Sequence, residues 1–86
     1  MGAPHADVIW KARVAALSRS IALDTSKLLY SLEQRARRLD KAGCNKMAKA
    51  LREEIKILSA TRGAASRLWE KYADEWQKVV GIQVNG

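Results

Sequence analysis

Proline, cysteine, histidine and phenylalanine are nearly or wholly missing from this 86-residue chain. Its one proline is Pro4, its one cysteine is Cys44, and it contains no phenylalanine. A single cysteine cannot form an intrachain disulfide, so we expect a fold held by packing alone and a reducing, cytoplasmic location. The single histidine, His5, has no second metal ligand at helical spacing, so the sequence predicts no metal site.

Long apolar runs and catalytic motifs are missing as well. Every stretch without charged residues is far shorter than the roughly 18 residues of a membrane-spanning helix, so no membrane span is predicted. The residues after Met1 do not combine a basic region with an apolar run, so we expect no export signal. There is no glycine-rich phosphate loop and no nucleophile with a base at helical spacing. These absences predict a non-enzymatic protein without a cofactor.

Helix-forming residues make up most of what is present. Residues 6–41 contain no glycine or proline, and alanine, leucine and charged residues dominate the chain. The sequence predicts an all-α fold with helices at about 5–42 and 45–80, a turn at Gly43, and Asn45 as the N-cap of the second helix. Residues 1–4 and 81–86 are predicted to be flexible tails of one domain that covers 1–86.

Apolar or small residues recur at steps of three and four in both halves, as on one face of a helix. In the first half these residues are Trp10, Val14, Leu17, Ile21, Thr25, Leu28, Leu32, Ala36 and Leu39. In the second half they are Met47, Leu51, Ile55, Leu58, Thr61, Ala65, Leu68, Tyr72, Trp76 and Val79. We expect the two rows to face each other across a long antiparallel helical hairpin.

A compact three- or four-helix bundle is the alternative fold. Its breaks would lie near 24–26, which is rich in capping residues, and at Gly63. Both rows pass through these points in phase, which favours two long helices.

Since fourteen of the residues are alanine, one hairpin has little apolar area to bury. We therefore expect it to self-associate into a helical bundle, most simply as a dimer.

The predicted turn is strongly basic. Between positions 35 and 52 seven cations stand against one acid, Asp40, and this window holds +6 of the net charge of +7. The seven cations, which we call the basic tip, are Arg35, Arg37, Arg38, Lys41, Lys46, Lys49 and Arg52. Such a tip is a solvated end of the rod or a docking surface, and the anionic partners it predicts are an acidic protein surface or nucleic acid.

The opposite end of the predicted hairpin holds most of the aromatic residues: Trp10, Trp69, Tyr72 and Trp76. Their spacing is typical of a packed helix face, although tryptophan and tyrosine are also enriched in protein interfaces. Trp69 lies at the margin of the second row. It is the aromatic residue we expect to contact another molecule.

Together these features favour a non-enzymatic helical interaction protein, an adaptor, scaffold or inhibitor that binds a protein partner and self-associates. An inhibitor carried by a phage or mobile element is one form of this class. The alternative is a basic helical-hairpin protein that binds nucleic acid with low sequence specificity and strong salt dependence.

Overall fold

The protein is a hairpin of two long antiparallel helices. The computed structural model describes residues 6–85, and the side chains of residues 6–81. Helix α1 is Ala6–Lys41 and helix α2 is Asn45–Asn85. They pack along their length into a rod of 65 × 20 × 13 Å. The all-α hairpin predicted from the sequence is confirmed, while the predicted tail at 1–4 lies outside the described residues.

Both places where the helices could have broken are continuous. In α1, Thr25 Oγ1 donates to the carbonyl of Ile21 (2.7 Å) and Ser26 Oγ to that of Ala22 (2.8 Å). These hydroxyls bond back to the preceding turn, so they do not cap a new helix. In α2, Gly63 keeps a negative φ and lies within the helix. The alternative of three or four helices is therefore wrong.

The reversal at the tip is a Schellman motif. Gly43 has a φ of 81°, a left-handed conformation in which glycine is favoured because it has no Cβ. The amide of Cys44 donates to the carbonyl of Leu39 (2.8 Å) and that of Gly43 to Asp40 (3.0 Å), the bond pair that defines the motif. The carbonyl of Cys44 accepts the first bond of α2. Cys44 is thus the N-cap, and the prediction of Asn45 is wrong by one residue.

Helix α2 also continues past its predicted end. It runs to Asn85, so the tail predicted for 81–86 is wrong over residues 81–85. We had expected Gly81 to stop the helix. Its φ is not positive, and a glycine in a helical conformation costs only about 1 kcal/mol. Without a proline or a left-handed residue, nothing in the backbone ends the helix there.

The face of α1 that packs on α2 overlaps the predicted row at Thr25, Leu32, Ala36 and Leu39 and differs from it elsewhere. Two rows with a seven-residue repeat are buried or half-buried throughout, and we call them the seam. The first row is Val8, Ala15, Ala22, Leu29 and Ala36, and the second is Lys11, Ser18, Thr25, Leu32 and Leu39. On α2 the most regular matching row is Leu51, Leu58, Ala65, Tyr72 and Val79.

The most deeply buried positions of the hairpin hold mostly small side chains. The buried apolar residues are Ala12, Ala15, Leu29, Ala36, Ala48 and Ala65, joined by Ser18. No large side chain is fully buried within the described part of the chain. Small residues let helix axes approach closely, which explains why the helices meet along this row. Little apolar area is buried as a result.

Candidate interaction surfaces

Four of the larger side chains predicted to face α2 lie exposed outside the seam. Trp10, Ile21 and Leu28 are nearly half exposed, and Leu17 is 65% exposed. Together with the half-buried Val14 they form a continuous row at steps of three, four and seven residues, which we call the apolar stripe. Its regular spacing was read correctly from the sequence. These residues are thus not buried against α2 as expected, although the ring of Trp10 contacts Tyr72 of α2.

Helix α2 contributes apolar residues to the same edge of the hairpin. Antiparallel helices place equivalent edges of their seams side by side, and the edge row of α2 is 47, 54, 61, 68 and 75. The hydrogen bond that Lys11 of α1 donates to Asp7 raises the pKa of Lys11, and the charge of Glu75, which belongs to this row, adds a smaller increase. The row also contains Met47 and Leu68, which are exposed. The apolar stripe therefore has apolar neighbours on α2.

The opposite edge is polar on α2. Exposed Leu23 and Tyr30 of α1 lie there, but the corresponding outer row of α2 is Lys49, Lys56, Gly63, Glu70 and Gln77. An ion pair between Asp40 and Arg52 crosses the hairpin at this edge. The two edges thus differ in the exposed side chains of α2, which include Met47 and Leu68 at the first edge and are polar in the outer row of the second.

The basic tip is fully displayed. All seven of its cations are exposed, and the turn brings the last turn of α1 beside the first turn of α2. Among the residues that the structure describes, Arg52 is the one tip cation in an ion pair. Its hydrogen bond to Asp40 raises the pKa of the guanidinium, helped by the carboxylate's charge. The ion pair engages Asp40, the single acid of the tip. The other six cations are open to solvent or to a ligand.

Shallow grooves connect the tip to an exposed tyrosine. One groove on α1 has Leu28, Tyr30, Gln34 and Arg38 among its lining residues. A second groove shares Gln34 and Arg38 and continues to Lys41. Tyr30 was not grouped with the basic tip from the sequence. The signal that would have found it is spacing: Tyr30, Gln34 and Arg38 lie four residues apart, on one side of a helix.

A third groove crosses from α1 to α2 at the polar edge. Glu33 and Arg37 of α1 line it together with Arg52 and Lys56 of α2. Lys56 also contacts Glu53 at 3.4 Å. Its charged lining is thus three cations and one acid, and two of the cations have an acidic neighbour, Asp40 beside Arg52 and Glu53 beside Lys56.

The four aromatic residues of the open end form two separate pairs. Trp10 meets Tyr72 edge to face at 5.5 Å, on the side of the apolar stripe. Trp69 meets Trp76 in the same way at 5.4 Å, and the guanidinium of Arg19 lies 5.6 Å from the Trp69 ring. Trp69 is thus half-buried by partners of its own chain. Its contact with another molecule stays a prediction.

Neither helix contains, among its described residues, an apolar segment long enough to cross a membrane. In the same part of the chain no three potential metal-ligating side chains lie close enough together to hold an ion. Comparison with protein-family models, curated proteins and solved structures gives no match. The arguments about function therefore rest on the surfaces described above.

Proposed function

We propose that this protein is a non-enzymatic helical interaction protein that associates with a second copy of itself through the apolar stripe. The observation that carries the proposal is the arrangement of α1, in which mostly small residues hold the buried positions while Leu17, Ile21 and Leu28 are about half exposed or more. A second hairpin placed on this edge would bury those side chains and complete a four-helix bundle.

The energetics support an identical partner. Burial of apolar area contributes about 25 cal/mol per Å², so a hairpin whose buried positions are mostly alanine, and whose described large side chains are all at least partly exposed, is weakly stabilised by itself. The hairpin is 65 Å long and 20 Å wide, enough for the ~800 Å² per partner of a standard interface. Each copy presents the same stripe, and a two-fold axis pairs a surface with itself. A second copy therefore supplies the missing apolar layer without any other protein.

The proposal is tested by solution mass. Leu17→Gln and Leu23→Gln make the same change on α1, at exposed leucines of opposite edges, 65% and 52% exposed. Burying Leu17 in both copies is worth about 2–4 kcal/mol per dimer, so Leu17→Gln should weaken association roughly 30- to 1,000-fold. Leu23→Gln should leave it unchanged.

The measurement is light-scattering mass over a concentration series, with helicity checked by circular dichroism. The wild-type chain and Leu23→Gln should show the dimer mass, and Leu17→Gln a shift to monomer at the same concentration. A wild-type monomer at every concentration would refute self-association. An equal decrease of mass in Leu17→Gln and Leu23→Gln would show that the interface does not lie at the stripe.

Self-association through the stripe leaves the outer side of the basic tip open to an anionic partner. The two classes expected from the sequence are an acidic protein surface and nucleic acid. We also propose a cytoplasmic location, which fits the single unpaired cysteine, Cys44.

A further inference from the structure

We infer that the outer face of α1 from Tyr30 to Lys41 binds single-stranded nucleic acid, with a base stacked on Tyr30 and phosphates on the cations that follow. This surface, which we call the Tyr30 track, consists of the two grooves that share Gln34 and Arg38. It spans eleven residue steps, about 16 Å along the helix. The first groove shares Leu28 with the apolar stripe, but neither Tyr30 nor the cations of the track belong to the proposed dimer interface.

The charge of the track suits a polyanion. Arg35, Arg38 and Lys41 are exposed, and none of them forms an ion pair with another described residue. The acid in the second groove is Asp40, whose carboxylate is engaged by Arg52 on α2. The track therefore keeps its positive charge, and successive cations at one-turn spacing can follow a phosphate backbone.

Tyr30 adds to the cations of the track an aromatic ring on which a base can stack. Its ring is 68% exposed, and no ring contact to it is found among the described side chains. Stacking of an unpaired base on such a ring is worth about 1–3 kcal/mol and tolerates any base. In a duplex the bases are stacked on one another, so an isolated surface tyrosine favours a single strand. An acidic peptide has no base to stack on the ring. We therefore favour a nucleic acid over an acidic peptide as the partner of this surface.

Position 30 offers matched variants. Tyr30→Ala removes the ring and does not weaken the helix, since alanine is the best helix former. Tyr30→Phe keeps the stacking face. Leu23→Ala makes an equivalent truncation one heptad away on the same side of α1, outside the track. For the charge, Arg38→Gln is matched by Arg13→Gln, an exposed arginine near the other end of α1.

The experiment is fluorescence anisotropy with three labelled anions of equal length: a 12-nucleotide oligothymidylate, an abasic 12-mer and polyglutamate. We expect the oligothymidylate to bind most tightly, and Tyr30→Ala to weaken it about 5- to 100-fold without affecting the abasic chain. Tyr30→Phe and Leu23→Ala should bind like the wild type. Arg38→Gln should weaken both nucleic acids and reduce the salt slope by about 0.7, whereas Arg13→Gln should not.

Three results would overturn the inference. Equal affinity for the oligothymidylate and the abasic chain, unchanged by Tyr30→Ala, would show that bases are not recognised. Polyglutamate bound as tightly as the oligothymidylate would make the tip a site for acidic protein. No binding of any anion at low salt would leave the tip a solvated end. A failure of this inference is distinguished from a failure of the proposed dimer by light scattering of Tyr30→Ala. The measured mass reports self-association and does not depend on anion binding.

Discussion

Because mostly small side chains are buried in the hairpin, we expect the stability of this protein to depend on its concentration. If the hairpin needs a second copy to bury its apolar stripe, folding and association are coupled, and dilution favours the unfolded chain. Each tenfold dilution changes the free energy of a dimer by about 1.4 kcal/mol. The perturbation requires no mutation and therefore leaves every contact intact.

The expected shift follows from chain length. Unfolding entropy is about 2.1 cal/mol/K per residue, so two chains of 86 residues lose about 0.36 kcal/mol/K on folding. Dividing the free-energy change by this entropy gives a decrease in Tm of about 4 °C for each tenfold dilution. Between 100 and 1 μM, the total shift should be about 8 °C.

Circular dichroism at 222 nm measures this directly, since both helices contribute to the signal. Leu17→Gln should unfold at lower temperature than the wild type at each concentration, and Leu23→Gln should match the wild type. A cooperative transition with the same Tm at all concentrations would refute the reasoning. It would mean that the small side chains of the seam suffice to stabilise a lone hairpin.

Four further predictions concern the turn, the middle of α2, the seam and the tip. Gly43→Ala should lower the free energy of unfolding by about 1–2 kcal/mol, because its φ of 81° strains any residue with a Cβ. Gly63→Ala should raise it by about 0.5–1 kcal/mol, since its new Cβ would meet only Arg67 Nη1 at an ordinary 3.5 Å. Ala15→Leu should lower it by about 1–3 kcal/mol, because Ala15 is fully buried in the seam. Asp40→Asn frees Arg52 and should change the free energy of unfolding by less than about 1 kcal/mol, while strengthening oligothymidylate binding. Thermal denaturation checks the first three changes, and anisotropy the fourth.

Sequence reasoning predicted the helices well because their signals are local. Helix propensity, the glycine in the turn and the cationic last turn of α1 act within a few residues of each other. The end of α2 was missed for a related reason. A glycine such as Gly81 stops a helix only if it adopts a left-handed conformation, and nothing in the sequence distinguishes that state from the helical one.

The packing face was harder to predict because α1 carries two sets of apolar residues at helical spacing. One set is large, with Leu17, Ile21 and Leu28, and the other is small, with Ala15 and Ala22. Periodicity locates both sets but does not say which one meets α2 and which meets another chain. That choice depends on how closely two helix axes approach, which is a property of the assembled pair. The grouping of Tyr30 with the tip was missed because its partners lie one and two turns away.

The charge of the tip also predicts how the two copies are arranged. If they lay parallel, two tips of +6 each would come together, close to the ~8 Å screening length at physiological ionic strength, and would repel. An antiparallel dimer centred on the stripe near Arg19 separates them. Cys44 then lies about 37 Å from the centre at 1.5 Å per residue, so the two thiols should be about 75 Å apart.

Because Cys44 is the only cysteine, mixing chains labelled there with donor and acceptor dyes measures this distance by energy transfer. Low transfer in a sample of dimer mass is expected. High transfer would show that the tips meet, and the stripe would then pair in parallel despite the repulsion.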